Sequence, residues 1–302
     1  MKKGFLLILM LFFVFILNAP LFAGEWESFT VKNYRILYHH YQAKLAREVA
    51  ETILKAEPKY QSVFGEIPKD TIRVLLADKR KEFDRLTYNT IPEWSKGVTR
   101  PDIHLIVLLT AEIKQDEFFS VVRHELVHAW MGSLYPGIQT PRWFDEGMAV
   151  LLSGEQVSGN NAVLSRAILT GSLFSLDEVN NVLKFGRTKA RLAYSESYTA
   201  LQFFVEYFGW QKFPFFFQKL KKTRSFEVAL KATTGLSLFE FEDTFEDFAR
   251  KKYRWQVFFD VNLYLWLALP VFVGVSFWLI KYRNRKRVEI WEEGTKGEND
   301  AV

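Results

Sequence analysis

Two hydrophobic repeats divide the chain into a front half and a back half. In the front half apolar and polar positions alternate, and Tyr34, Ile36 and Tyr38 fall on one face of a predicted strand. The predicted strands are Phe29–Tyr38, Thr71–Ala77 and Asp102–Leu109, and a helix is predicted over Ala43–Phe64. From Glu117 onward the apolar positions follow the helical repeat almost throughout. A small strand-containing front half followed by a helical back half predicts an α+β fold.

The two ends of the chain carry its longest apolar runs. A positive start, an apolar stretch and a small residue at Ala23 predict a secretory signal peptide over residues 1–23. The run at 258–280 is long enough to predict a transmembrane helix, and residues 281–302 would form a short basic-then-acidic cytoplasmic tail. The sequence therefore predicts an exported, membrane-anchored protein whose domain, residues 24–257, lies on the extracytoplasmic side.

Charge and composition exclude some classes of partner and some kinds of catalytic and metal site. The formal net charge is +5, but 35 acidic residues accompany 40 basic ones, and basic residues flank the apolar end segments. We therefore expect no nucleic-acid partner. The chain contains no cysteine, which excludes disulfides, thiolate metal sites and cysteine nucleophiles. Any metal ion must be held by histidines and carboxylates.

The strongest chemical motif is His124-Glu125-Leu126-Val127-His128, on a helix predicted over Glu117–Leu134. Residues four apart share a helix face, so His124 and His128 can bind one metal ion. Glu125 is turned by about 100° from His124, which places its carboxylate beside the metal rather than on it. A carboxylate in that position can take a proton from a zinc-bound water. This pattern predicts a zinc-dependent hydrolase.

Such a site needs a third protein ligand, because catalytic zinc uses three and leaves one position for water. The candidates are His39, His40, His104 or a carboxylate. Among the carboxylates, Glu146 falls in the second turn of a second predicted helix, which has Thr140 as N-cap and Pro141 in its first turn. Gly147 would let this helix pack closely against the preceding one.

The motif HELVH, followed by the segment Trp143-Phe144-Asp145-Glu146-Gly147-Met148-Ala149, resembles the gluzincin clan of zinc metallopeptidases. It is most similar to the compact peptidase MA-like proteins of that clan. The resemblance implies a zincin-like domain with one Zn²⁺ ion bound by His124, His128 and Glu146. It also implies Glu125 as the general base, Tyr194 or Tyr198 as the oxyanion donor, and a peptide or protein as substrate.

The predicted function is thus that of a membrane-tethered zinc metallopeptidase. The alternative is a catalytically silent zincin-fold protein with a binding or structural role at the cell envelope. Glu125 argues against that alternative, because loss of this carboxylate is the simplest route to inactivity. Two features weaken a specific prediction of aminopeptidase activity. Seventeen residues separate His128 from Glu146, and the motif by which aminopeptidases bind a free amino terminus is not evident before HELVH. We further expect strand Asp102–Leu109 to pair with an extended substrate, and His104 to be a structural residue of that strand.

Overall fold

A computed structural model describes residues 26–111, 113–154, 160–179, 186–254, 264 and 268–285. The fold is mixed α/β, with a small N-terminal sheet and a mostly helical remainder. The strands are β1 (Trp26–Val31), β2 (Tyr34–His39), β3 (Ile72–Ala77), β4 (Gly97–Arg100) and β5 (Leu105–Leu109). The first four helices are α1 (Ala43–Phe64), α2 (Arg80–Leu86), α3 (Gln115–Leu134) and α4 (Arg142–Ser153). The later helices are α5 (Asn160–Thr170), α6 (Arg187–Phe208), α7 (Lys212–Thr223), α8 (Phe226–Thr234) and α9 (Leu238–Tyr253).

The five strands form one sheet in the order β1-β2-β3-β5-β4. The central pairs, β2 with β3 and β3 with β5, are parallel, while β1 and β4 add antiparallel strands at the two ends. The central strands are rich in buried aliphatic residues, as expected where helices cover a parallel sheet. The sheet thus presents β4 as the end strand closest to α3, which β4 contacts.

The strand predicted over Phe29–Tyr38 is in fact a hairpin. β1 and β2 pair with Val31 opposite Tyr34, and the connection is Lys32-Asn33. Lys32 has a φ of 48°, in the left-handed region that a tight turn requires. The sequence lacks the Asn-Gly or Asp-Gly pair that usually marks such a turn, so the two strands read as one.

The strand predicted over Asp102–Leu109 also differs from the structure. Residues Pro101–Ile103 form a 3₁₀ turn, and His104 has a φ of 49°, so β5 begins only at Leu105. β5 lies between β3 and β4, and its backbone is paired on both sides. The expectation that this strand offers a free edge to the substrate is therefore wrong, and the end strand next to β5 is β4. His104 is a turn residue rather than a member of the strand.

The predicted transmembrane helix at 258–280 is wrong. Among the described residues no helix is long and apolar enough to cross a membrane. The described C-terminal helix runs over 268–285, and Lys281 interrupts its apolar stretch after residue 280, with Arg283 and Arg285 following. The predicted signal peptide (1–23) and most of the predicted tail lie outside the described residues.

The chain divides into two compact units. The first comprises Met1–Val157 and Phe174–Phe248, and the second comprises Ser158–Leu173 and Ala249–Val302. Within the second, the Ser165 hydroxyl donates a hydrogen bond to the carbonyl of Tyr253. All residues singled out by the motifs belong to the first unit.

Candidate metal centre

The motif helix α3 is held by buried aromatic contacts on the side facing α1. Trp130 is fully buried, meets the ring of Tyr60 edge-on at 5.6 Å, and donates a hydrogen bond from Nε1 to the Tyr34 hydroxyl (3.1 Å). The Tyr60 hydroxyl donates to the carbonyl of Arg123, immediately before the motif (2.8 Å). These contacts tie α3 to both α1 and β2, so the face that carries the histidines points away from this core.

His124, His128 and Glu146 come together at the opposite face of α3. The two histidine Nε2 atoms lie 3.2 Å apart. The Oε2 atom of Glu146 lies 3.4 Å from Nε2 of His124 and 3.5 Å from Nε2 of His128. Two helices therefore supply three potential ligand atoms to one point, two from α3 and one from α4.

The dimensions of this triangle can be compared with those of a metal site. Four ligands at 2.0–2.1 Å from a tetrahedral zinc ion are separated from one another by about 3.3–3.4 Å. The three observed separations are 3.2, 3.4 and 3.5 Å. Two imidazoles and one carboxylate are also a donor set that zinc accepts in catalytic sites. The residues present thus fit a zinc ion with one position left for water.

Glu146 is buried at 3% exposure, and its charge is balanced within the site. Burial by itself raises the pKa of this carboxyl, but the nearby His128 and His124 outweigh burial and hold the pKa well below its usual range. Its second oxygen, Oε1, forms an ion pair with Nη2 of Arg142 at 3.0 Å. Glu146 is consequently an ionised ligand candidate whose two oxygens have separate partners.

Glu125 lies beside the triangle and is held against strand β4. The Thr99 hydroxyl lies 2.7 Å from Oε2 of Glu125 and 2.9 Å from its backbone carbonyl. A Cβ atom at Gly97 would lie 2.7 Å from Cγ of Glu125, closer than real Cβ atoms approach. Glycine at position 97 therefore allows β4 to lie directly against the carboxylate that the motif assigns as general base.

A cleft of about 660 Å³ opens onto these residues. Tyr194 of α6 lines it, with its ring edge-on to His124 at 6.4 Å, whereas Tyr198 is not among the described lining residues. The Tyr198 hydroxyl instead accepts a hydrogen bond from Nε2 of Gln202, one turn along the same helix (3.0 Å). The geometry thus separates two tyrosines that the sequence left equal.

The other histidine candidates for the third ligand lie elsewhere. Nε2 of His39 contacts both oxygens of Glu82 at 3.1 Å, and Nδ1 of His40 contacts Oε1 of Glu27 at 2.7 Å. Nδ1 of His104 lies 2.8 Å from the Ser133 hydroxyl. His104 lines the cleft, but it is not part of the three-atom group.

The approach of α4 to the site depends on Gly147, although through a different neighbour than predicted. A Cβ atom there would lie 2.5 Å from the carbonyl oxygen of Ser197 and 2.6 Å from Cδ2 of Leu201. Both residues belong to α6, so Gly147 permits close packing of α4 on α6 rather than on α3. The helix start also differs, since Pro141 is the N-cap residue and the Thr140 hydroxyl donates to Asp145.

Sequence reasoning did not single out several residues of the cleft, among them Trp94, Thr99 and Arg142. Arg142 could have been inferred, because it lies four residues before Glu146 on the same helix. Thr99 belongs to a four-residue strand, too short for a visible alternation of apolar and polar positions. Trp94 lies in an irregular loop, where no repeat marks a functional position.

Comparison with known families gives one match that covers the site. A sequence model described as "Peptidase MA superfamily" matches residues 58–251, which include both helices of the three-atom group. No curated protein matches the chain.

Proposed function

The chain belongs to the peptidase MA superfamily, and from this premise we propose that it is a zinc-dependent metallopeptidase of the gluzincin type. The membership supports a peptidase-like function. The proposal of zinc dependence rests on the triangle of potential ligand atoms on His124, His128 and Glu146. The distances between these atoms match those between the ligands of a tetrahedral zinc ion. The site for hydrolysis is completed by Glu125, by the Thr99 hydroxyl beside it and by the cleft.

A zinc ion bound there would polarise the scissile carbonyl and acidify a water molecule. Glu125 takes the proton from that water and later passes it to the leaving amine. Thr99 holds the carboxylate of Glu125 by its hydroxyl, 2.7 Å from Oε2. Tyr194, which lines the cleft beside His124, donates to the oxyanion that develops on the substrate carbonyl.

Strand β4 is the part of the sheet that suits an extended substrate. It is one of the two end strands, and its residues Gly97, Val98 and Thr99 line the cleft. A peptide that pairs with the backbone of β4 would pass directly over Glu125, because Thr99 and Gly97 both contact that residue.

Metal analysis of the full-length chain tests this function. We expect about one zinc ion per wild-type chain and a large loss in His124→Ala. His104→Asn is the matched control, because it changes a histidine of the same cleft outside the triangle, and asparagine tolerates the left-handed backbone at that position. Equal and negligible zinc in wild type and His124→Ala would overturn the metal assignment.

Cleavage of a peptide library separates a peptidase from a silent binding protein. Glu125→Gln should keep its zinc and lose hydrolysis, because glutamine cannot act as a base. Zinc-loaded wild type that cleaves no peptide would favour the silent binding protein instead.

A further inference from the structure

One wall of the cleft is an aromatic surface that adjoins the metal ligands. The ring of Trp94 meets that of Tyr194 edge-on at 6.3 Å, and Tyr194 in turn meets His124 edge-on at 6.4 Å. Ile91 and Pro92 line the cleft from the same loop as Trp94. These four residues, Ile91, Pro92, Trp94 and Tyr194, are called the aromatic wall below.

The loop that carries this wall is held in place by one guanidinium group. Nη1 of Arg80 donates to the carbonyls of Glu93 (2.9 Å) and Ser95 (2.8 Å), and its Nη2 donates to that of Pro92 (3.1 Å). These three carbonyls surround Trp94 in the sequence. Since Nε of Arg80 also contacts Asp84 of its own helix at 2.8 Å, the guanidinium itself has little freedom to move. The loop is therefore an ordered part of the cleft.

Apolar contacts with a buried cluster also hold this loop in place. Ile91 packs against a buried cluster from β3, α2 and β5 that includes Leu75, Phe83 and Val107. With its backbone held by Arg80 and the Ile91 side chain packed against the buried cluster, the loop presents Trp94 to the cleft without further ordering. A preformed apolar surface binds a ligand side chain at lower entropic cost than a mobile one.

Two arginine side chains that line the cleft are paired with carboxylates of the protein. Arg100 contacts both carboxylate oxygens of Asp102, at 3.2 and 3.0 Å, and Arg142 contacts Glu146. A charged substrate side chain would have to compete with these pairs, whereas an apolar one meets the indole and phenol rings directly. The wall adjoins His124, so the side chain in question belongs to a residue next to the scissile bond.

From these contacts we propose that the aromatic wall selects peptides with an aromatic or bulky aliphatic side chain beside the scissile bond. This inference rests on the proposed peptidase function. Trp94 supplies the larger of the two rings of the wall, and Arg80 is a positioning residue that acts through the loop.

Binding and cleavage of matched peptides test the proposal with the full-length chain. The peptides are labelled hexapeptides of glycine and alanine in which phenylalanine replaces glycine at the third or the fourth position. Anisotropy with zinc-loaded Glu125→Gln measures affinity without turnover, and wild-type cleavage gives kcat/KM. One of the phenylalanine peptides should bind, and be cleaved, about 10- to 100-fold better than its glycine counterpart, the range expected when a phenylalanine side chain is buried.

Trp94→Ala should reduce this preference to about threefold or less while the glycine peptide is bound as before. Tyr88→Ala is the matched control: its aromatic side chain is in the same loop, 74% exposed and outside the lining of the cleft. Arg80→Ala should weaken the preference, as a loosened loop requires. Thermal unfolding and zinc content check that each variant is folded.

Two results would overturn the inference. One is equal binding of phenylalanine and glycine peptides by the Glu125→Gln protein. The other is a loss in Trp94→Ala that is the same for all peptides, which would assign Trp94 only to the placement of Tyr194. A chain that binds with the predicted preference but cleaves no peptide would contradict the proposed peptidase function. The proposed binding preference of the aromatic wall would still hold.

Discussion

Replacing Gly147 by alanine should loosen the helix pair that brings Glu146 to the histidines. The added Cβ atom would lie 2.5 Å from the carbonyl oxygen of Ser197, and ordinary contact begins near 3.4 Å. The α4–α6 spacing must therefore grow by about 0.9 Å, and overpacking of this kind costs about 1–3 kcal/mol. Because alanine is the better helix former by about 1 kcal/mol, the measured destabilisation will be smaller than the cost of the clash.

The movement also displaces Glu146, the neighbour of Gly147, whose Oε2 atom now lies 3.4 and 3.5 Å from the two histidine nitrogens. We expect zinc affinity to fall about 10-fold or more, as when residues that support metal ligands are altered. Competition with a chelator measures the affinity, and calorimetry measures the melting temperature. Gly274→Ala is the control, since Gly274 is helical with open space around its Cβ position. Gly147→Ala with the affinity and melting temperature of the control would refute the reasoning.

Three further predictions concern the base, the oxyanion donor and a buried acid. Thr99→Val should lower kcat about 10-fold, the value of one hydrogen bond to a charged group, with KM and zinc content unchanged; Thr99→Ser should restore it, and an effect on KM alone would contradict this role. Tyr194→Phe should lower kcat about 100-fold and Tyr198→Phe little, as steady-state kinetics would show; the reverse order would reassign the donor. Burial raises the pKa of Glu196 from 4.5 to about 8, so the unfolded chain loses this proton first and stability falls as pH rises between those values, by at most about 1.4 kcal/mol per pH unit. Urea unfolding of Glu196→Gln should show a flatter pH dependence over that range, and profiles parallel to the wild type would contradict the assignment.

The ligand candidates could be predicted because their geometry is local. His124 and His128 share a face of any helix, whatever the helix packs against. Predicting Glu146 required one further assumption, a second helix joined to the first by a short loop. The structure places the three side chains together, in agreement with that assumption. Family membership was predicted from the same two segments, and the family match over residues 58–251 confirms it. Gly147 shows the limit of this reasoning: the need for close packing was visible in the sequence, but the partner helix, 40 or more residues further on, was not.

The walls of the cleft depend on contacts between distant segments, and the sequence did not reveal them. Thr99 reaches Glu125 only because β4 is the end strand, and strand order is set by the pairing of β3, β4 and β5, not by any short pattern. Trp94 contacts Tyr194 from a loop whose backbone Arg80 holds through three carbonyls. It follows that changes at Arg80 or Gly97 should alter specificity and the placement of the base while the HELVH motif remains intact. If both proposals hold, a chain of this family that keeps the motif can differ in substrate, because the motif would determine the metal chemistry and the loop before β4 would determine which side chain reaches it.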